Sequence, residues 1–262
     1  MTQEGKTKIV AIIQARMSSS RLPGKVMAEI NGKPMLYHVV KRVQGAKMIN
    51  LAAIATSDHR DDDILESFCK EKGITCFRGS LDDVLDRYYQ AAKYFHAQVI
   101  IRLTADCPLL DRDIIENVVR KFFEGSFDYV SNVMESTYPD GLDTEVFSLE
   151  ALKRAWQEAR LKSEREHVTP YIRNHPEFFR LANVSHRENI SHMRWTVDEP
   201  QDLDFVRSVY DQLKGSYFGM QEILNLLKLH PELSSKNAGI ESNAGYLKSL
   251  REDCPVEPKE MT

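Results

Sequence analysis

Short apolar runs alternate with stretches of helical spacing along the first half of this chain, and that alternation restricts the fold more than any other feature. Residues 8–14, 49–56, 74–77 and 98–103 each read as a strand, the first and last of them buried. Between them, residues 34–44 carry Met35, Leu36, Val39, Val40 and Val43 on one helical face, and Pro34 suits a first helical turn. Asp58 to Asp63 open a helix that runs through Lys72, because acidic side chains favour a helix N-terminus, and Gly73 ends it. Residues 81–96 place Leu85, Tyr88, Tyr89 and Ala92 together on one side. Another helix covers 111–123, and Tyr129-Val130 begin a further strand. This order predicts an α/β fold with a mostly parallel sheet covered by helices on both sides. One member of each aromatic pair, Tyr88-Tyr89 and Phe122-Phe123, is expected to face the sheet.

The middle of the chain changes character. Residues 131–147 are rich in turn formers around Tyr138-Pro139-Asp140-Gly141. A helix is expected at 149–160, a second helical piece from His167 to Asn174, and short strands within 178–196. Helices follow at 201–213 and 219–229. Beyond Pro231 the sequence is polar without periodicity, and the last ten residues are expected to be mobile.

Charge and cysteines exclude several classes. Lysine and arginine number 35 against 39 acidic residues, a formal charge of -4, which gives no reason to expect nucleic acid or an anionic membrane as partner. The apolar run at 9–13 is too short for a signal peptide or a membrane span. Four cysteines, at 69, 76, 107 and 254, show no CxxC spacing and read as reduced thiols of a cytoplasmic protein. His186 and His192 have no ligand cluster around them, so zinc is not expected.

The chemistry concentrates in residues 11–25, where an apolar strand runs straight into a basic, hydroxyl-rich loop. Neither Gly-Lys-Ser/Thr nor G-x-G-x-x-G is present, so this is not a Walker loop or a dinucleotide fingerprint. The physics is of the same kind. Backbone N–H groups in the Met17 to Ser20 turn can face phosphate oxygens, Arg16 or Arg21 can add a forked contact, and Lys25 a point charge. Asp106 follows the strand at 98–103, at the sheet edge where ligands collect in parallel sheets. A carboxylate there can hold Mg2+ and through it a triphosphate. Asp198, after Met193-Arg194-Trp195-Thr196-Val197, is a second metal carboxylate by the same reasoning; either Asp alone reads equally well as a turn or helix cap. Asp111-Arg112-Asp113 and Asp202-Leu203-Asp204 match an Asp-x-Asp pattern but read as helix starts.

Two middle segments suit a second substrate. Tyr138, Asp140, Asp143 and Glu145 belong to a stretch with three carboxylates around a Gly turn, apt for hydroxyls or an ammonium. Glu166 and His167 begin a helical turn, and Arg165 or Arg173 can meet an acidic group bidentately.

Ala15-Arg16, Ser18 to Ser20, Arg21-Leu22-Pro23 and Lys25, with Asp106 and the segment Trp195 to Leu203, carry a family resemblance over roughly residues 8–212. The chain resembles the cytidylyltransferases that activate sugar acids as CMP-sugars, and within them the spore-coat polysaccharide biosynthesis protein F group. The resemblance implies a Rossmann-like nucleotidyltransferase fold over 8–230, with a small inserted lobe within 131–190 and a C-terminal extension over 231–262. It implies Mg2+ on Asp106 and Asp198, and CTP held by Ala15, Arg16, Ser18, Ser19, Arg21 and Lys25. It implies that Arg78 and Asp83 lie in a region closing over the nucleotide, with Arg87 beside them. It implies an acidic sugar or analogue at Tyr138, Asp140, Asp143, Glu145, Arg165, Glu166 and His167. The lobe often serves dimerisation, and Phe178, Phe179 and Leu181 offer apolar residues for a homodimer. Thr104-Ala105-Asp106-Cys107-Pro108 departs from the patterns of the octulosonate and sialic-acid enzymes, so neither acceptor carries over. The alternatives on this fold are a nucleotide-sugar-dependent glycosyltransferase, a cytidylyltransferase for phosphonates and a non-catalytic nucleotide-binding protein.

Overall fold

The structure, a computed structural model, describes residues 7–215 and 217–256; the last six positions of the tail expected to be mobile lie outside these described residues. The chain begins with β1 (Ile9–Gln14), a small hairpin of β2 (Glu29–Ile30) and β3 (Lys33–Pro34), and α1 (Met35–Gln44). Then come β4 (Leu51–Ser57), α2 (Asp63–Lys72), β5 (Thr75–Gly79), α3 (Val84–Tyr94), β6 (Val99–Thr104) and α4 (Arg112–Glu124). The second half adds β7 (Tyr129–Ser131), β8 (Glu145–Ser148), α5 (Leu149–Glu158), α6 (Lys162–His167), α7 (Pro170–Asn174) and β9 (Leu181–Asn183). It ends with α8 (Pro200–Gln212), α9 (Met220–Leu229) and α10 (Ala244–Arg251). None of these helices is long and apolar enough to cross a membrane.

Seven strands form one sheet in the order β5-β4-β1-β6-β8-β7-β9. β1 is central, parallel to β4 on one side and β6 on the other. It is apolar throughout because both its faces are covered. Val10 and Ile12 pack with α3, α5 and α7, whereas Ala11 and Ile13 join the layer of α1, α2, α4, α8 and α9. Tyr88 faces the sheet, its single hydroxyl hydrogen shared between the carbonyls of Ile12 and Leu103 at 3.1 and 3.2 Å. In the second pair Phe122 is buried and Phe123 is exposed.

The mostly parallel, helix-flanked sheet is as expected, with one departure. β8 lies between β6 and β7 and is antiparallel to both. Turn formers at Pro139 and Gly141 mask this four-residue strand in the sequence. Residues 131–190 therefore give β8 and β9 to the main sheet as well as three helices.

The order places a switch point between β1 and β6. The chain moves outward from β1 to β4 and β5, then returns to the other side of β1 for β6. Crossovers diverge there, which leaves a crevice beyond the C-terminal ends of the two strands. Those ends carry Ala15-Arg16 and Ala105-Asp106.

Candidate functional site

A cavity of about 750 Å3 opens over that crevice. Its volume lies in the upper range for small-molecule sites. Gln14 to Arg16, the three serines, Arg21 and Lys25 line it from β1 and its loop, and Thr104 to Asp106 from β6.

The loop keeps its shape through two devices. Gly24 adopts φ 71°, a left-handed conformation that glycine takes without steric cost, and its N–H donates to the Met17 carbonyl at 2.9 Å. Asp62, buried ahead of α2, accepts from the Met17 N–H at 2.7 Å, the Thr56 hydroxyl at 2.9 Å and the Ser57 N–H at 3.0 Å. The Ser57 hydroxyl donates to the same carboxylate. Burial opposes ionisation of Asp62, but these donors outweigh it and hold its pKa below the usual carboxylate value. Sequence reading saw Asp62 only as part of a helix start; no local signal links it to a loop 45 residues earlier.

Lys25 is the centre of the site. Its ammonium donates to Asp106 Oδ2, Asp198 Oδ1 and the Val197 carbonyl, each at 2.8 Å. Burial alone would lower its pKa, yet the two carboxylates prevail and raise it. For Asp106 burial is the largest single effect and pushes upward, but the Lys25 charge, its hydrogen bond and one from Thr104 together outweigh it, leaving the carboxyl at about 2. Both partners are therefore ionised at neutral pH. Arg21 adds a contact to Asp198 at 2.9 Å and to Glu199 at 3.5 Å.

Asp198 is held from behind by Arg194, which sequence reading did not single out. This buried guanidinium contacts Asp198 Oδ2 at 2.8 Å, Asp140 Oδ2 at 3.0 Å and Asp202 Oδ1 at 2.9 Å. Burial works against its charge, and hydrogen bonds and charge from Asp202 and Asp198 more than compensate, raising its pKa. Gly141 lets the segment approach, since a Cβ there would sit 2.6 Å from both the Thr196 nitrogen and the Trp195 carbonyl carbon. Backbone bonds between Asp140 and residues 193–195 then fix the position of Asp198.

The cavity brings together Ala15, Arg16, Ser18, Ser19, Arg21, Lys25, Asp83, Asp106, Arg165, Glu166, His167 and Asp198. Arg78, Tyr138, Asp140, Asp143 and Glu145 do not line it. Arg78 is instead engaged by Asp63 at 2.6 Å, Glu66 at 2.8 Å and two backbone carbonyls. Tyr138 is buried in the core, and Glu145 pairs with Arg102 across β6 and β8 at 3.1 Å. Asp140 serves Arg194. Asp143 is driven up to about 7 by burial first, then by Asp140 and Glu145. Arg165 reaches the cavity already committed: its guanidinium contacts Asp83 at 2.6 Å and the Trp156 carbonyl at 2.7 Å. The expected free fork for an acidic acceptor is thus an internal ion pair joining α6 to the start of α3.

Both Asp-x-Asp sequences are structural. Asp111 caps α4 through the N–H groups of Asp113 and Ile114 and also accepts from Met220. Asp202 is fully buried on Arg194, while the exposed Asp204 side chain lies 3.8 Å from Arg207.

A family model described as Cytidylyltransferase matches residues 10–224. An uncharacterised protein of Methanocaldococcus jannaschii is 32% identical over 89% of this chain and 96% of its own. The spore coat polysaccharide biosynthesis protein SpsF of Bacillus subtilis is 33% identical over 87% of this chain and 97% of its own. A 3-deoxy-manno-octulosonate cytidylyltransferase of Trichlorobacter lovleyi is 34% identical over a smaller part, 44% of this chain and 45% of its own. The solved structure of a cytidylyltransferase from Leptospira borgpetersenii superposes with a TM-score of 0.85 at 31% identity, covering 90% of this chain and 100% of that one.

Proposed function

The chain belongs to the cytidylyltransferase family, whose reaction moves CMP from CTP to an acceptor with release of pyrophosphate, and we propose that its acceptor is a sugar acid. The observation that carries this reading is the Lys25 ammonium bridging Asp106 and Asp198 at 2.8 Å each, beside a serine-rich loop at the sheet's switch point. The octulosonate enzymes among the relatives, and SpsF by its name, support a sugar-acid acceptor within surface-polysaccharide synthesis.

In this reading Ala15, Ser18, Ser19, Arg16 and Arg21 hold the triphosphate, and Asp83 stands at the nucleotide end. An acceptor oxygen attacks the α-phosphorus in line. The bond from that phosphorus to the bridging oxygen breaks, and the electron pair leaves with pyrophosphate. A carboxylate nucleophile needs no base, whereas a hydroxyl nucleophile gives up its proton to solvent as the new bond forms. Lys25 and Arg16 neutralise the charge growing on the leaving group. Positioning and fixed charge do most of the work. Glu166 and His167 are the acceptor contacts; Asp140, Asp143 and Glu145 support the site from behind it.

Asp106 and Asp198 suit a divalent ion: two hard carboxylate oxygens already converge on one cation. They would hold Mg2+, which when bound supplies charge neutralisation on phosphate oxygens. Among the described residues no third His, Cys, Asp or Glu joins them, so the remaining ligands fall to substrate and water.

The test is pyrophosphate release with Mg2+, run over the four ribonucleoside triphosphates and a panel of sugar acids, hexoses and aminoalkylphosphonates, with Asp106→Asn as control. Release with CTP and a sugar acid, abolished in the variant, is expected. Release with a phosphonate alone would replace the acceptor class. Consumption of a nucleotide sugar without pyrophosphate would move the protein to glycosyl transfer.

A further inference from the structure

The C-terminal helix α10 lies beyond residue 224, where the family model ends, yet Gly245, Lys248, Ser249 and Glu252 form part of the cavity lining. The helix is not loosely placed. The segment after it runs along the start of α6: Asp253 accepts from the Ser163 N–H at 3.0 Å and its hydroxyl at 2.7 Å. The Cys254 carbonyl accepts from Lys162 N–H at 3.0 Å, and Val256 N–H donates to the Arg160 carbonyl at 2.7 Å.

We propose that α10 is the acceptor wall of the site, with Ser249 a positioning residue that fixes Glu166 and His167, and Lys248 a contact for the acceptor's carboxylate. The proposal rests on the assignment of Glu166 and His167 as acceptor contacts. Ser249 is buried, and its hydroxyl stands 2.9 Å from Glu166 Oε2 and 2.9 Å from His167 Nε2. A hydroxyl has one hydrogen to give. Glu166 competes for it with the Gly245 carbonyl at 3.1 Å, and the shorter, charge-assisted bond to the carboxylate prevails. The Ser249 oxygen then accepts from His167 Nε2–H, which selects one neutral tautomer of the ring. Tyr246 packs edge-on against that ring at 4.9 Å. One buried serine thus orients both groups.

Lys248 has the opposite character. Its side chain is 71% exposed, and its one ion pair among the described residues is with Glu252, at 3.8 Å. An exposed pair at that distance holds the ammonium weakly, so the charge can turn to a ligand carboxylate. The enclosed Arg165, by contrast, is committed to Asp83.

Steady-state kinetics with CTP and 3-deoxy-manno-octulosonate as probe, followed by a wider sugar-acid panel if that probe is inert, test this. Ser249→Ala is expected to raise the acceptor KM about tenfold while the CTP KM stays unchanged. Lys248→Gln, at an exposed position where folding is safe, is expected to raise the acceptor KM about fivefold, again without effect on CTP. Melting midpoints are measured alongside. Unchanged acceptor KM in both variants, or CTP and acceptor KM rising together, overturns the proposal and leaves the sugar-acid reading intact. A wild-type protein that releases no pyrophosphate with any sugar acid overturns that reading, and this proposal with it.

Discussion

At the scale of single residues, Lys25 decides the site's electrostatics. Without its ammonium, Asp106 would lose the cation it contacts and its link to Asp198, which would keep Arg21 and Arg194. Lys25→Met is therefore expected to lower kcat by about 100-fold or more, read by pyrophosphate release under saturating substrates. A decrease of less than about threefold would place Lys25 in a structural role only. Asp143 gives a pH prediction. Its folded pKa of about 7 lies above the ordinary 3.8, so ionisation is easier in the unfolded chain. Folding stability is therefore lost as pH rises through that window. Asp143→Asn removes the penalty, and its melting midpoint should gain on wild type between pH 4 and pH 7, with a level difference above pH 8. A constant difference across the range would show that Asp143 ionises freely in the fold. What could be read from sequence at this scale follows from range. Lys25, Asp106 and Asp198 stand beside strand ends and helix starts that local pattern reveals. Ser249, the Met17 contact of Asp62 and the Asp140 contact of Arg194 join positions that the chain brings together only on folding. Arg78 lies outside the cavity, and Arg165 lines it while paired with Asp83, because their counter-charges, Glu66 and Asp83, are met only in the folded chain.

At the scale of elements, β1, β4, β6 and α1 to α5 were legible because each buries a periodic or continuous apolar face. β8 escaped notice, being four residues long and preceded by a Pro-Asp-Gly turn. α10 escaped because its inward face is polar, with Ser249 as its buried residue. Gly141→Ala should be costly, since the new Cβ meets backbone rather than a movable side chain. We expect about 2–4 kcal/mol of destabilisation in urea unfolding, together with reduced activity from a displaced Asp198. A cost under about 0.5 kcal/mol would mean that the 193–196 segment yields easily. The strap after α10 is tested by Asp253→Ala. Amide exchange should rise across α10 and leave β1 and β6 protected, whereas uniform loosening would show that the strap supports the whole fold.

For the whole molecule, the sheet's switch point sets where ligands gather, and everything the chain adds later is built around that crevice. β7, β8 and β9 extend the sheet, while α6 and α10 enclose the cavity. Of the residues from which a homodimer is expected, Phe178 is 46% exposed, Leu181 is half-buried and Phe179 is buried. The measurement that most directly tests CMP transfer is phosphorus NMR of CTP with Mg2+ and a sugar acid, following the α-phosphorus. Its conversion to a phosphodiester joined to the acceptor, with pyrophosphate appearing in equal amount and neither forming with Asp106→Asn, is the expected result. An α-phosphorus that stays in CTP with every sugar acid, or that appears as free CMP without acceptor attached, would contradict it.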